Sequence, residues 1–120
     1  LIRIDTQSKT DDVLSATDEV RVRFASPEGF EVNITGLGGE LKAKLLHENR
    51  SARKHDVTAA VGDVLEIAIP FADLKASPGD DLHFFIEMTR DNHSLDRAPS
   101  EGSIELEVPT TDFEQRNWQV

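Results

Sequence analysis

Glu105 and Glu107 stand two apart in a run that alternates apolar and charged residues, so on a strand they project from one face about 7 Å apart. That separation is near the acid–base spacing of an inverting glycosidase. Such chemistry also needs a cleft or an apolar neighbour to raise one carboxyl's pKa, and the sequence around the pair supplies neither. A solvated strand face is the expected reading. The four histidines, His47, His55, His83 and His93, lack the spacing of a zinc site. The acidic pairs Asp11-Asp12 and Asp80-Asp81 and the Asp91-Asn92 step lack the alternating oxygen ligands of a calcium loop, and turn formation accounts for them better. There is no G-x-S-x-G elbow and no phosphate-cradling glycine loop ahead of a helix. No catalytic residue, metal ligand or cofactor site is therefore expected. Asn33-Ile34-Thr35 matches a glycosylation sequon, but Asn33 falls inside a strand pattern. His47, Arg50, Arg53, Lys54 and His55 form a single basic island, suited to a solvated loop or to an acidic neighbouring domain.

The island stands out because the chain is acidic. Its 120 residues carry 13 Lys+Arg against 23 Asp+Glu, a formal charge of −10, and that field repels phosphate backbones and anionic lipid surfaces. Neither nucleic acid nor a membrane is an expected partner. The apolar runs are strand-sized and broken by Glu66, Pro70 and Glu87, too short for a membrane-spanning helix. With no cysteine, disulfides and thiolate metal sites are excluded; this leans toward a cytoplasmic setting while leaving the compartment open. The length suits one domain with a single core. Because Leu1 already lies in a strand pattern, residues 1–120 are expected to be one domain excerpted from a longer protein.

The elements around these residues follow from period-2 alternation. Leu65, Ile67 and Ile69 define one core strand, and Leu82, Phe84, Ile86 and Met88 a second. Pro70 ends the first, one helical turn fits at Phe71 to Leu74, and Ser77-Pro78-Gly79-Asp80 turns the chain into the second. Earlier, Leu1 to Thr6 reads as an opening strand and Gln7 to Asp12 as a loop. Glu19 to Ala25 and Phe30 to Thr35 form a hairpin about Ser26-Pro27-Glu28-Gly29. Gly36 to Gly39 breaks the chain again. Leu41 to Glu48 suits a short helix by propensity but alternates as a strand, which is preferred. His47 to Asp56 is read as a charged loop, and Val57 to Val61 leads through Gly62-Asp63 into the core strand. Thr89 to Gly102 is read as a long polar connection, and Ser103 to Val108 as a strand stopped by Pro109. Trp118 and Val120 would share the inward face of a terminal strand. The expected fold is all-β: an antiparallel, immunoglobulin-like β-sandwich of about seven or eight strands with little or no helix, a barrel being the alternative closure.

Three stretches carry a resemblance. Val61 to Phe71 (VGDVLEIAIPF), Pro78-Gly79-Asp80 with the Phe84-Phe85 strand, and the ending Leu95 to Pro99, Ile104 to Pro109 and Asp112 to Trp118 together resemble the C-terminal all-β domain of amylase-type enzymes of glycoside hydrolase family 57. About the last 60 residues follow the order of that domain, while the first part matches only in pattern. In the family the catalytic carboxylates lie in an N-terminal barrel, so no catalytic residue carries over. Ala98 stands where that pattern has an aromatic, which argues against sugar stacking by this segment.

The resemblance implies a non-catalytic accessory domain of an α-glucan-acting, α-amylase-like hydrolase, with the catalytic domain of the same chain as its partner. Two mechanisms then compete: bracing the enzyme, or targeting it to α-glucan. Sugar platforms need exposed aromatics, and the chain has six Phe, one Trp and no Tyr. Bracing is the expected role, with Trp118 and Phe113 the candidate carbohydrate contacts should the domain bind glucan. The alternative class is an immunoglobulin-like interaction or adhesion module of a bacterial surface protein.

Overall fold

Alternating side chains can bury one face only if a second sheet covers it, and this chain solves the problem with two sheets packed face to face. The computed structural model describes residues 1–5, 18–37, 40–61, 65–109 and 116–119, the last four as backbone only. Among them are eleven strands: β1 Ile2–Asp5, β2 Glu19–Ser26, β3 Phe30–Thr35, β4 Lys42–His47, β5 Arg50–Ser51, β6 Thr58–Val61, β7 Leu65–Ile69, β8 Asp81–Arg90, β9 His93–Ala98, β10 Ile104–Glu107 and β11 Arg116–Gln119. A 3-10 turn, Phe71–Leu74, is the helical turn expected after Pro70. The smaller sheet runs β11-β1-β7-β6; the larger runs β10-β8-β2-β3-β4-β5, with β9 also on β8. All pairings are antiparallel except β1 with β11, which is parallel.

The order is immunoglobulin-like. With β1, β7 and β6 taken as strands B, E and D, and β9, β8, β2, β3 and β4 as G, F, C, C′ and C″, both sheets follow the variable-type arrangement. The edge beside B is filled by the C-terminal β11. β8 is the hub. Its ten residues pair along one side with β2, and its other side is shared between β10 (Asp81 to Phe84) and β9 (Ile86 to Arg90).

Inward side chains line up in rows across the larger sheet. Ile86, Val22, Val32 and Leu45 are consecutive cross-strand partners, as are Met88, Val20, Ile34 and Ala43. Opposite them lie Ile2 with Ile69 and Ile4 with Ile67. All four of these isoleucines, and Phe84, are fully buried. Each such side chain stabilises the fold by about 1.5–3 kcal/mol relative to exposure. The tilted Phe24–Phe84 pair, centroids 5.4 Å apart, closes one end of the core.

Several elements differ from expectation. His93 to Ala98 is a strand, not part of a polar connection: Asp91 and Asn92 take left-handed φ of 51° and 66°, making a tight turn that folds β9 back on β8. Within the charged loop, Arg50–Ser51 forms a two-residue strand after a similar turn at Glu48 and Asn49. By contrast, the strand preferred for Leu41 to Glu48 is present, as Lys42–His47. β7 and β8, adjacent in sequence, lie in different sheets, so the 3-10 turn between them carries the chain across the sandwich. The expected loop Gln7 to Asp12 and turn Gly62-Asp63 lie outside the described residues.

Candidate functional site

The basic island is gathered by two tight local structures. Glu48 and Asn49, both at positive φ, fold β5 onto β4 so that Arg50 pairs with His47, and the Glu48 N–H donates to the Gly29 carbonyl at 2.9 Å. His47 then stacks on Phe30, centroids 4.1 Å apart and planes 7° from parallel. On the facing wall the Asp73 carboxylate accepts the Asp56 N–H at 2.7 Å, tying the segment after β5 to the 3-10 turn. Lys75, just past that turn, adopts a left-handed conformation.

Between these walls is an open groove of about 710 Å³. Ala52 and the edges of the core residues Phe30 and Leu45 lie at its base, and His47, Glu48, Arg50, Lys54, Asp73 and Lys75 surround it. A second depression, of about 530 Å³, shares Lys54 and Asp73 and adds Arg53, His55 and Asp56. Arg50, Arg53, Lys54 and Lys75 are exposed and make no ion pair among the described residues; Lys42, Lys44, Arg90 and Arg97 make none there either, while Arg3, Arg21 and Arg23 are paired. Nothing here resembles a nucleophile with its base. The two depressions carry mixed charge, with Glu48, Asp56 and Asp73 lying among the cations.

The outward face of the larger sheet is a different surface. Arg23 reaches Glu31 at 2.9 Å and Glu87 at 3.7 Å, and Arg21 is held by Glu19 and bonds Asn92 at 2.8 Å. The Glu19 hydrogen bond, followed by the fields of Glu19, Glu31 and Glu87, raises the Arg21 pKa despite partial burial, so Arg21 stays charged throughout the accessible range. Phe85 is the aromatic of this face, and the Arg97 guanidinium lies 4.1 Å over its ring. Arg97 is fixed there by donating to the Pro99 and Gly102 carbonyls, each at 2.7 Å. A covered ring offers no flat platform to a sugar.

Glu105 and Glu107 stand exposed on β10 opposite His83 and Asp81, with Glu105 3.7 Å from His83. Asn33 of the sequon sits mid-strand between Arg21 and Lys44, its side-chain oxygen enclosed. No cluster of three or more metal-ligating side chains occurs among the described residues. Asp80 forms a turn with Ser77. Of the candidate sugar contacts, Phe113 lies outside the described residues, and Trp118 is placed by its backbone beside Ile4 in the β1–β11 pairing. Sequence reading found the basic island but not Lys75, which joins it through the 3-10 turn, nor the Arg97–Phe85 stack. The Asp91-Asn92 turn signals the hairpin, but a bulge at Leu95, between the Thr89–Ser94 and Met88–Asp96 pairs, is what brings Arg97 opposite Glu87. Comparisons with protein-family models, with curated proteins and with solved structures found no match for the chain.

Proposed function

We propose that this chain is a non-catalytic accessory module that braces a larger enzyme, and that the enzyme is an α-glucan-acting glycoside hydrolase. The observation that carries the bracing role is the Arg97–Phe85 stack. Together with the ion pairs beside it, it occupies the sheet face where an exposed aromatic would be needed to hold a sugar. The solvent exposure of both Glu105 and Glu107, which leaves neither carboxyl the burial that would raise its pKa, supports a module without its own hydrolytic chemistry. The glucan-hydrolase context comes from the resemblance of the last 60 or so residues alone. The partner is then the catalytic domain, with α-glucan bound by that domain rather than by this one.

A second reading has one observation in its favour. The variable-type strand order is shared by interaction modules of many unrelated proteins, so an adhesion role fits the same topology. The coding sequence preceding Leu1 separates the two. A (β/α) barrel carrying paired glycosidase carboxylates supports the hydrolase module; tandem β-sandwich repeats would replace it with the adhesion reading.

A further inference from the structure

We propose that β6 is a self-association edge: two copies of this chain pair β6 with β6 antiparallel about a twofold axis, joining their smaller sheets into one. The inference concerns the chain itself and holds whichever protein the module serves.

The first support is an unguarded edge. β6 ends the smaller sheet, and among the described residues the backbone of Thr58–Val61 pairs only with β7, so its other row of N–H and C=O groups has no strand beside it. Thr58, Ala60 and Val61 are exposed, Val61 by 46%. The other edges with described side chains are blunted. β5 is two residues long and carries Arg50, β10 presents the exposed Glu105 and Glu107, and β9 is broken by its bulge at Leu95. β6 has no charge, no proline and no break in its register with β7.

The second support points to another copy as the occupant. Antiparallel pairing centred on Ala59 sets Thr58 opposite Ala60 of the other copy and Val61 opposite its Val57, and the twofold axis makes each contact occur twice. Ala59 packs against the core and Val57 is 5% exposed, so this register sets inward residues against inward ones and covers Val61 with a second valine. No like charges meet across the axis, and every side chain there is small or β-branched. Behind the edge, Glu66 lies opposite Ala60 on β7 and is paired with Arg3 at 3.1 Å. The segment leading into β6 carries both signs, in Arg53, Lys54 and Asp56, so the approach does not bring one sign alone together. What opposes association is the −10 charge of each whole copy, and salt screens that repulsion.

The test is a dilution series of the ¹⁵N-labelled chain with sedimentation equilibrium alongside, spanning about 0.05–1 mM because so short an edge contact belongs to the small, weak class of interface. Concentration-dependent amide shifts should be confined to Asp56 to Val61 and the facing Leu65 to Ala68, with a limiting mass of two chains. Association should tighten at least about threefold between roughly 20 and 300 mM NaCl, the reverse of a contact held by ion pairs. Thr58→Lys with Ala60→Lys sets like charges opposite each other and should weaken association at least about tenfold. Ser94→Lys with Ser100→Lys, exposed on and after β9, changes the net charge equally and should alter it less than about twofold. Both variants are first checked for native amide dispersion. Independently of any variant, a mixture of ¹³C-labelled and unlabelled wild type should give methyl contacts between Val57 and Val61, which within one extended strand lie roughly 13 Å apart. A chain that stays monomeric throughout would overturn the proposal and leave the edge to a strand of another domain. Shifts elsewhere, weakening by salt, undiminished association of a folded Thr58→Lys/Ala60→Lys variant, or a dimer lacking the Val57–Val61 contact would also overturn it. None of these outcomes bears on the glucan-hydrolase context, which the coding sequence before Leu1 decides separately.

Discussion

The Arg97 guanidinium rests 4.1 Å over the ring of Phe85 and is pinned there by two backbone carbonyls of the turn that follows β9. This one contact joins β9 to the outward face of β8, holds the 99–102 turn, and covers one face of the half-buried ring.

Arg97→Ala should cost about 1–2 kcal/mol, since a cation–π contact and two charge-assisted hydrogen bonds are lost from a partly exposed site. Urea denaturation measures the loss. Hydrogen exchange should quicken more in residues 93–102 than the global loss alone quickens it in β1 and β7; an equal increase everywhere would mean that Arg97 does not hold the turn locally.

In the core, Phe84→Ala should cost about 3–5 kcal/mol and Ile67→Ala about 2–5 kcal/mol, because both side chains are fully enclosed and their removal leaves a cavity. The residues sit in different sheets, on β8 and β7. Urea denaturation measures both, and losses under about 0.5 kcal/mol would reverse the assignment of faces.

Two glycines provide a paired test of backbone strain. Gly36 has φ +79°, and a Cβ there would fall 1.8 Å from the Glu40 carbonyl oxygen, so Gly36→Ala must displace backbone. Gly102 has a similar φ of +72° with open space around the same position. Gly102→Ala should cost only the left-handed penalty of about 1–2 kcal/mol. Gly36→Ala should cost clearly more, and equal midpoints in urea for the two variants would contradict the close approach.

Arg21 is held by Glu19 and lies in the field of Glu31 and Glu87, so Arg21→Gln should destabilise by about 1–2 kcal/mol. A pKa raised by folding stabilises fully at every pH below the unfolded value and is lost only above it. The Arg21 contribution is therefore constant through neutral pH, and the wild-type-minus-variant difference should stay level between roughly pH 6 and 9. A difference that shrinks toward the alkaline end would assign the effect to another group.

The strands with strict alternation were legible because burial on one face leaves a period of two that nothing else imitates. Leu65 to Ile69, Leu82 to Met88 and Val20 to Phe24 all bury the side chains expected of them. Alternation names a face but not a partner, so it could not say that β7 and β8 belong to opposite sheets. β9 was missed for the opposite reason. Leu95 is its lone large aliphatic residue and is itself 43% exposed, so the strand is held by backbone pairing and by Arg97 rather than by burial. The basic island was visible as composition, but its shape was not. The groove depends on two left-handed residues in the β4–β5 turn and on Lys75 arriving from the far side of the sandwich.

Affinity electrophoresis in amylose and glycogen gels tests the bracing role most directly, with wild type and Trp118→Ala run side by side after both are shown to be folded. The account expects neither protein to be retarded relative to a gel without polysaccharide. Clear retardation of the wild type, lost in the folded Trp118→Ala variant, would contradict it and make the domain a glucan-targeting module.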